Sequence, residues 1–378
     1  MRRIRRNTVV IAAFLVLAFL ATSNRGADPL PDRLSDEVFW KLVVELSEPN
    51  GYFPSENFVS NERSFQHVLA ELRRDQQPAS AYIGVGPEQN FTYILALKPQ
   101  IAFIVDIRRQ NLVEHLMYKA IFELSADRAE FLSRLFARAR PPKLDRTSSV
   151  DALFEAFDAI SSDPQILQDN LRVIKQRLII DHGFRLSAED ESGLENVLRA
   201  FSRGGPSLTY NGPVAGPGGV MPTFEEIMRE TDKEGVHRSF LATEEGFLTL
   251  KEFQRKNLLI PVVGDFAGPS ALRSVGQYLK DHGATVTSFY TSNVEQYLFQ
   301  NGVWKGFYGN VSTLPLSAKS VFIRGLIRSA AGELSSSPAL PPTSRYETGL
   351  FPISDLVMHF ADGTIQSYYD ILIRPGGQ

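Results

Sequence analysis

The sequence predicts an α/β fold: a mostly parallel, twisted sheet with helices on both faces, a C-terminal antiparallel hairpin and a large helical insertion. Three observations predict it. Residues 79–124 run strand, Gly-rich turn, helix, strand, helix. Short continuous apolar runs return from Leu258 onward, and such runs fit strands buried on both faces. Between them, residues 126–256 carry helical periods with almost no strand signal.

At the N-terminus, Arg2, Arg3, Arg5 and Arg6 precede an apolar run from Thr8 to Ala21. A basic stretch before an apolar run of this length is the pattern of a signal peptide. A spanning helix needs about 20 apolar residues. Ala21-Thr22-Ser23 supplies small residues for cleavage, so residues 1–23 are expected to be a signal peptide or an N-terminal anchor. The segment would engage the secretion machinery or the membrane. The arginines favour an N-in orientation, which places the protein in the periplasm, outside the cell or anchored to the inner membrane. No cysteine follows the apolar run, which excludes a lipoprotein.

Residues 24–61 read as a linker and a helix, Ser35 to Leu46, striped by Phe39, Trp40, Leu42, Val43 and Leu46. Glu48-Pro49-Asn50-Gly51 ends it. Tyr52, Phe53 and Phe58 lie in the loop that follows, set either to fold over a ligand or to pack on the core. Residues 62–125 form the first half of the sheet domain. A helix over 62–73 leads into the strand Ser80 to Ile83 and the turn Gly84-Val85-Gly86-Pro87-Glu88. A helix over 89–97 is stopped by Lys98-Pro99, the strand Ile101 to Val105 ends at Asp106, and a helix spans 110–124.

The insertion, 126–256, contains a Gly/Pro-rich loop at 204–222 and helices at 223–231 and 243–256. Residues 257–378 form the second half. Leu258 to Val263 is a buried strand leading into Gly264-Asp265-Phe266-Ala267-Gly268, and Pro269 falls in the first turn of a helix to Asp281. A strand at 285–290 ends in Thr291-Ser292-Asn293, a helix covers 294–299 and a fifth strand covers 320–324. Residues 356–360 and 364–372 flank Ala361-Asp362-Gly363, a hairpin signal.

The 378 residues are 43% hydrophobic, carry a net charge of -3 and include no cysteine. No basic field invites nucleic acid. The lack of cysteine removes disulfides, thiolate metal sites and a Cys nucleophile. The histidines are scattered without ligand spacing, so no metal is expected. No Gly-x-Ser-x-Gly elbow, His-Glu-x-x-His pair or phosphate loop is present.

A Gly-rich turn after the first strand, acids at the tips of the second and third, and an antiparallel hairpin at the end resemble the class I S-adenosylmethionine-dependent methyltransferases, a Rossmann-like fold. The resemblance covers roughly 62–124 and 258–372. It implies a small-molecule ligand, S-adenosylmethionine, as cofactor, and transfer of its methyl group to an acceptor of unspecified kind. By the same resemblance, Gly84 and Gly86 lie against the methionine part, and Glu88 stands where the family usually has a third glycine. Asp106 would hold the ribose hydroxyls, with Ile107 beside the adenine. Asp265 would accept from the adenine amino group, with Phe266 against the ring. Ser292, Asn293 and Tyr297 would face the methyl group and the acceptor. In open α/β sheets the ligand lies beyond the carboxyl ends of the strands, where these residues fall.

Plainer roles also fit: a tight turn for Gly84 and Gly86, helix caps for Asp106, Asp265 and Asn293. Two further functions compete. One is an exported binding or structural protein that keeps the scaffold without the chemistry. The other is a dinucleotide-dependent oxidoreductase, disfavoured by the absent third glycine.

Overall fold

The computed structural model describes residues 28–75, 80–212, 221–327 and 346–372. The predicted N-terminal segment and the middle of the Gly/Pro loop lie outside the described residues.

Helix α1, Asp36–Glu45, opens with the Ser35 hydroxyl accepting from the Val38 N–H and buries Phe39 and Val43. The helix expected over 62–73 is broken into short turns, Phe65–Val68, Leu69–Leu72 and Arg73–Asp75. Strand β1, Ser80–Gly84, leads into α2, Gln89–Leu97, and β2, Ile101–Asp106, leads into α3, Arg109–Leu124. The insertion is helical, as its periodicity predicts: α4, Arg128–Phe136; α5, Val150–Asp158; α6, Pro164–Lys175; α7, Ala188–Gly204; α8, Phe224–Arg229; α9, Glu244–Arg255. Phe131, Phe240 and Phe247 from this region pack on Phe122 of α3, Phe131 at 4.7 Å between ring centroids. The insertion therefore shares its core with the sheet.

The second half follows with β3, Leu259–Val263; α10, Ala271–Asp281; β4, Thr285–Ser292; α11, Val294–Gln300; α12, Trp304–Val311; β5, Leu316–Ile327; β6, Tyr346–Pro352; and α13, Ile353–Ala361. Among the described residues the strands form one six-stranded sheet in the order β3-β2-β1-β4-β5-β6. The first five run parallel, and β6 is antiparallel to β5. Ile101 to Val105 and Ala81 to Ile83 are fully buried. Each Ile, Val or Phe side chain among them contributes roughly 1.5–3 kcal/mol. Pro261 is tolerated because β3 is an edge strand. The chain after α1 covers that edge, with the Glu48 N–H donating to the Val263 carbonyl at 2.8 Å and the Val263 N–H to the Ser47 hydroxyl at 3.0 Å.

Two expectations need correction. The antiparallel pair is β5 with β6, not 356–360 with 364–372. Ile353, Leu356, Val357 and Phe360 recur at helical spacing and turn toward the core, and that period prevails over alternation. Ala361-Asp362-Gly363 is the helix stop: Asp362 is the C-cap, Gly363 has φ +77°, and the Thr364 N–H donates to the His359 carbonyl. Pro269 lies just before the N-cap of α10, Ser270, rather than inside its first turn. Helix α12 has no counterpart in the sequence reading. No helix among the described residues is long and apolar enough to cross a membrane.

Candidate functional site

The carboxyl tips of β1, β2, β3 and β4 open on a cleft of about 390 Å³. Ligand sites of this size are ordinary, and this edge of a parallel sheet is where they form. The turn after β1 makes one wall. Gly86 takes φ +73°, and an added Cβ there would meet nothing nearer than Asn57 Nδ2 at 3.7 Å. Asn90, at the start of α2, braces the turn. Its Nδ2 donates to the carbonyls of Val85, Gly86 and Pro87 at 2.9, 3.1 and 2.7 Å, and its Oδ1 accepts from the Tyr82 hydroxyl. His115 of α3 donates from Nε2 to the Gly86 carbonyl at 2.9 Å.

Asp106 ends β2 and is 5% exposed. Its carboxylate accepts from the Arg108 N–H at 2.9 Å and from the Gly86 N–H. Burial raises its pKa, against the Arg108 charge and these two bonds. A carboxylate has about four acceptor positions, so these bonds leave room for a ligand's hydroxyls.

The loop after α1 roofs the cleft and is tied to the segment after β2. Arg108 donates to the Ser55 and Glu56 carbonyls, the Arg109 N–H donates to Asn50 Oδ1 at 2.7 Å, and the Gly51 N–H donates to the Ile107 carbonyl at 2.8 Å. Of its aromatic residues, Phe53 lines the cleft and meets Tyr297 edge-on at 5.1 Å, while Phe58 packs on the core. Glu48 takes the capping role offered to Asp265. It accepts from the N–H groups of Asp265, Ser270 and Ala271, closing the N-terminus of α10, and these bonds hold its pKa low despite burial. Asp265 instead accepts from the Ala267 N–H within its own turn.

At the tip of β4, Ser292 has φ +52°, a strained backbone for a non-glycine residue. Its hydroxyl donates to Glu62 at 2.5 Å. Asn293 stands at the N-cap of α11 without a capping bond from its side chain.

Gly86, Asp106, Ile107, Asp265, Phe266, Ser292, Asn293 and Tyr297 all line the one cleft. Gly84 and Glu88 do not. Gly84 is glycine because the Asn90 side chain occupies its Cβ position, with Oδ1 at 1.9 Å. Glu88 turns into the core, fully buried, and accepts from the Ser60 N–H. Desolvation raises its pKa to about 7. The sequence reading missed Glu62, Asn90 and His115. A polar residue next to a Gly-rich turn was the available signal for Asn90. The other two give none, since Glu62 meets its partners on β4 and β6 and His115 meets the Gly86 carbonyl, all far from them in sequence.

Among the described residues, the charged side chains lining the cleft are Asp106 and Asp265, and no Lys, Arg or His lines it. The chain belongs to the family described as a domain of unknown function, DUF7790, whose profile matches residues 57–363. Comparison with curated proteins finds no match.

Proposed function

We propose that the cleft binds S-adenosylmethionine and that the protein transfers its methyl group to a small acceptor. The observation that carries this reading is the charge of the cleft: two carboxylates and no cationic side chain among the described lining residues. A sulfonium nucleoside is attracted to such a field, and a dinucleotide diphosphate is repelled by it. The residues present fit the cofactor. The Gly86 backbone is open to the cleft, Asp106 can accept from ribose hydroxyls, and Phe266 lies beside Asp265 for a ring. The cofactor brings its own leaving group, so the protein's task is to hold the acceptor in line and keep water out. Calorimetric titration should show S-adenosylmethionine binding and NAD not. Asp106→Ala should weaken binding at least tenfold, since hydrogen bonds to a charged acceptor are worth roughly 1.5–3 kcal/mol each. Failure of the folded wild type to bind would sink the proposal.

The alternative, an exported ligand-binding protein without the chemistry, is favoured by the basic and apolar pattern of residues 2–21. Fractionation of a tagged protein separates the two. Recovery beyond the inner membrane would remove it from the cytoplasm, where S-adenosylmethionine is made.

A further inference from the structure

Behind the wall of the cleft, at the tip of β4, sits a buried carboxylate that the proposed function leaves without a role. Glu62 is 1% exposed. Its Oε1 accepts from the Ser292 hydroxyl at 2.5 Å and the Tyr290 hydroxyl at 2.9 Å. Its Oε2 accepts from Thr348 at 3.2 Å and Gln89 at 3.3 Å. All four partners donate, which is the arrangement that serves the ionised form. Tyr290 and Ser292 are also cleft-lining residues. Glu62 therefore bonds two residues of the cleft wall, one of them held on a strained backbone. The titratable groups facing it are tyrosines: Tyr290 of β4, Tyr93 of α2 and Tyr82 of β1.

The surface around Ser292 indicates what it would meet. Phe53 and Tyr297 make an aromatic corner, continued by Leu298, Val303 and Tyr210. Among the described residues, no Lys, Arg or His lines this corner.

We propose that Glu62, acting through the Ser292 hydroxyl, is the proton acceptor for the cleft, and that it serves the hydroxyl of an uncharged, largely apolar ring ligand. The inference rests on the S-adenosylmethionine reading for the transfer itself. The acceptor O–H donates to Ser292 Oγ, and Ser292 donates to Glu62. As the acceptor oxygen forms its bond to the methyl carbon, the carbon–sulfur bond breaks and its electron pair stays on sulfur. The acceptor's proton passes to Ser292 while the Ser292 proton passes to Glu62. The sulfonium charge and the carboxylate charge disappear together, and no further reactant is needed. Ser292 touches the ligand, and Glu62 is a positioning residue that also stores the proton. Desolvation raises the Glu62 pKa, which suits a base.

The test is infrared difference spectroscopy of the full chain, following the carbonyl stretch of protonated carboxyls across pH. The band absent from Glu62→Gln belongs to Glu62. It should titrate above the ordinary glutamate value of about 4.3. Ser292→Ala removes a donor to the charged form and should move the midpoint up by about one unit or more. 2-Naphthol should shift the band in the wild type and not in Ser292→Ala, and its methyl ether, which cannot donate, should shift neither. Should Glu62→Gln not fold, the wild type and Ser292→Ala with isotope-labelled glutamate carry the comparison. A Glu62 band that responds neither to Ser292→Ala nor to 2-naphthol overturns the proposal, as does tighter binding of 2-naphthoate than of 2-naphthol. These readouts need no cofactor, so a wild type that fails to bind S-adenosylmethionine sinks the transfer reading separately.

Discussion

His115 holds the carbonyl of Gly86 from inside the core, at 2.9 Å. A carbonyl only accepts, so Nε2 carries the proton, while Nδ1 is buried without a partner. Desolvation pushes the imidazole down to about 4. The ring is thus neutral, and it fixes the turn that walls the cleft.

His115→Phe keeps most of the volume and removes the donor. The Gly86 carbonyl loses a buried partner, and the variant should be destabilised by about 1–3 kcal/mol. A folded pKa below the unfolded value of about 6.5 means that the stability is present above pH 6.5 and is lost as pH falls toward 4. The variant should lack this acid limb. Urea unfolding at pH 5 and pH 7 checks it, and an unchanged limb would exclude His115 as its source.

Glu88 acts on the other side of neutrality. Its folded pKa of about 7 lies above the ordinary glutamate value. The protonated form is favoured in the fold, so stability is full below about pH 4.3 and is lost as pH rises from there to 7, by up to about 3 kcal/mol. Glu114, also fully buried, has its pKa raised by desolvation and by the Glu88 charge. Glu88→Gln should remove the loss between pH 5 and pH 7. Melting midpoints of both proteins at these two values decide the matter, and parallel curves would contradict it.

Strands β1, β2 and β3 were legible because each is a short apolar run bounded by Gly, Pro or an acid, whereas β5, Leu316–Ile327, extends well beyond the apolar residues at 320–324 that announce it. The helix over 89–97 matches the structure residue for residue for the same reason, with Lys98 leaving the helical region at φ +49°. The hairpin was misplaced because Asp362-Gly363 ends a helix as readily as it turns a ribbon. The strand tips were legible because sheet topology alone brings them to one edge. What the sequence hides is the support behind them. Glu62 meets Ser292 across 230 residues, and no local pattern carries such a pairing. Glu88 was assigned by its place in a motif, whereas its side chain follows burial.

Arg324 of β5 and Glu295 of α11 form a buried ion pair, 1% and 4% exposed at their side chains, joined by the Tyr308 hydroxyl. Glu295 sits one turn beyond Ser292, so the pair anchors the helix that follows the β4 tip. Glu295→Gln keeps the shape and strands the guanidinium. The expected loss is about 3–5 kcal/mol. Replacing both partners, as Glu295→Leu with Arg324→Met, should recover most of it. Denaturant unfolding of the single and double variants tests the pair, and a loss below about 1 kcal/mol would show that Arg324 is held by its other contacts.

The two glycines of the turn should respond differently to the same methyl group. At Gly84 a Cβ would fall 1.9 Å from Asn90 Oδ1 and 2.8 Å from the Tyr82 ring and hydroxyl. Asn90 cannot yield without releasing the Val85, Gly86 and Pro87 carbonyls that it holds. Overpacking of this kind costs roughly 1–3 kcal/mol, and each stranded buried acceptor adds roughly 1–3 kcal/mol. Gly84→Ala should therefore be poorly folded. At Gly86 the space is free, and only the left-handed backbone, φ +73°, opposes the change. That penalty is about 1–2 kcal/mol. Gly86→Ala should fold, with its methyl at the cleft wall, and should bind S-adenosylmethionine more weakly than the wild type. Circular dichroism melts rank the two for stability, and calorimetry reads binding on Gly86→Ala. A Gly84→Ala protein as stable as Gly86→Ala would show that Asn90 is not the brace of the turn.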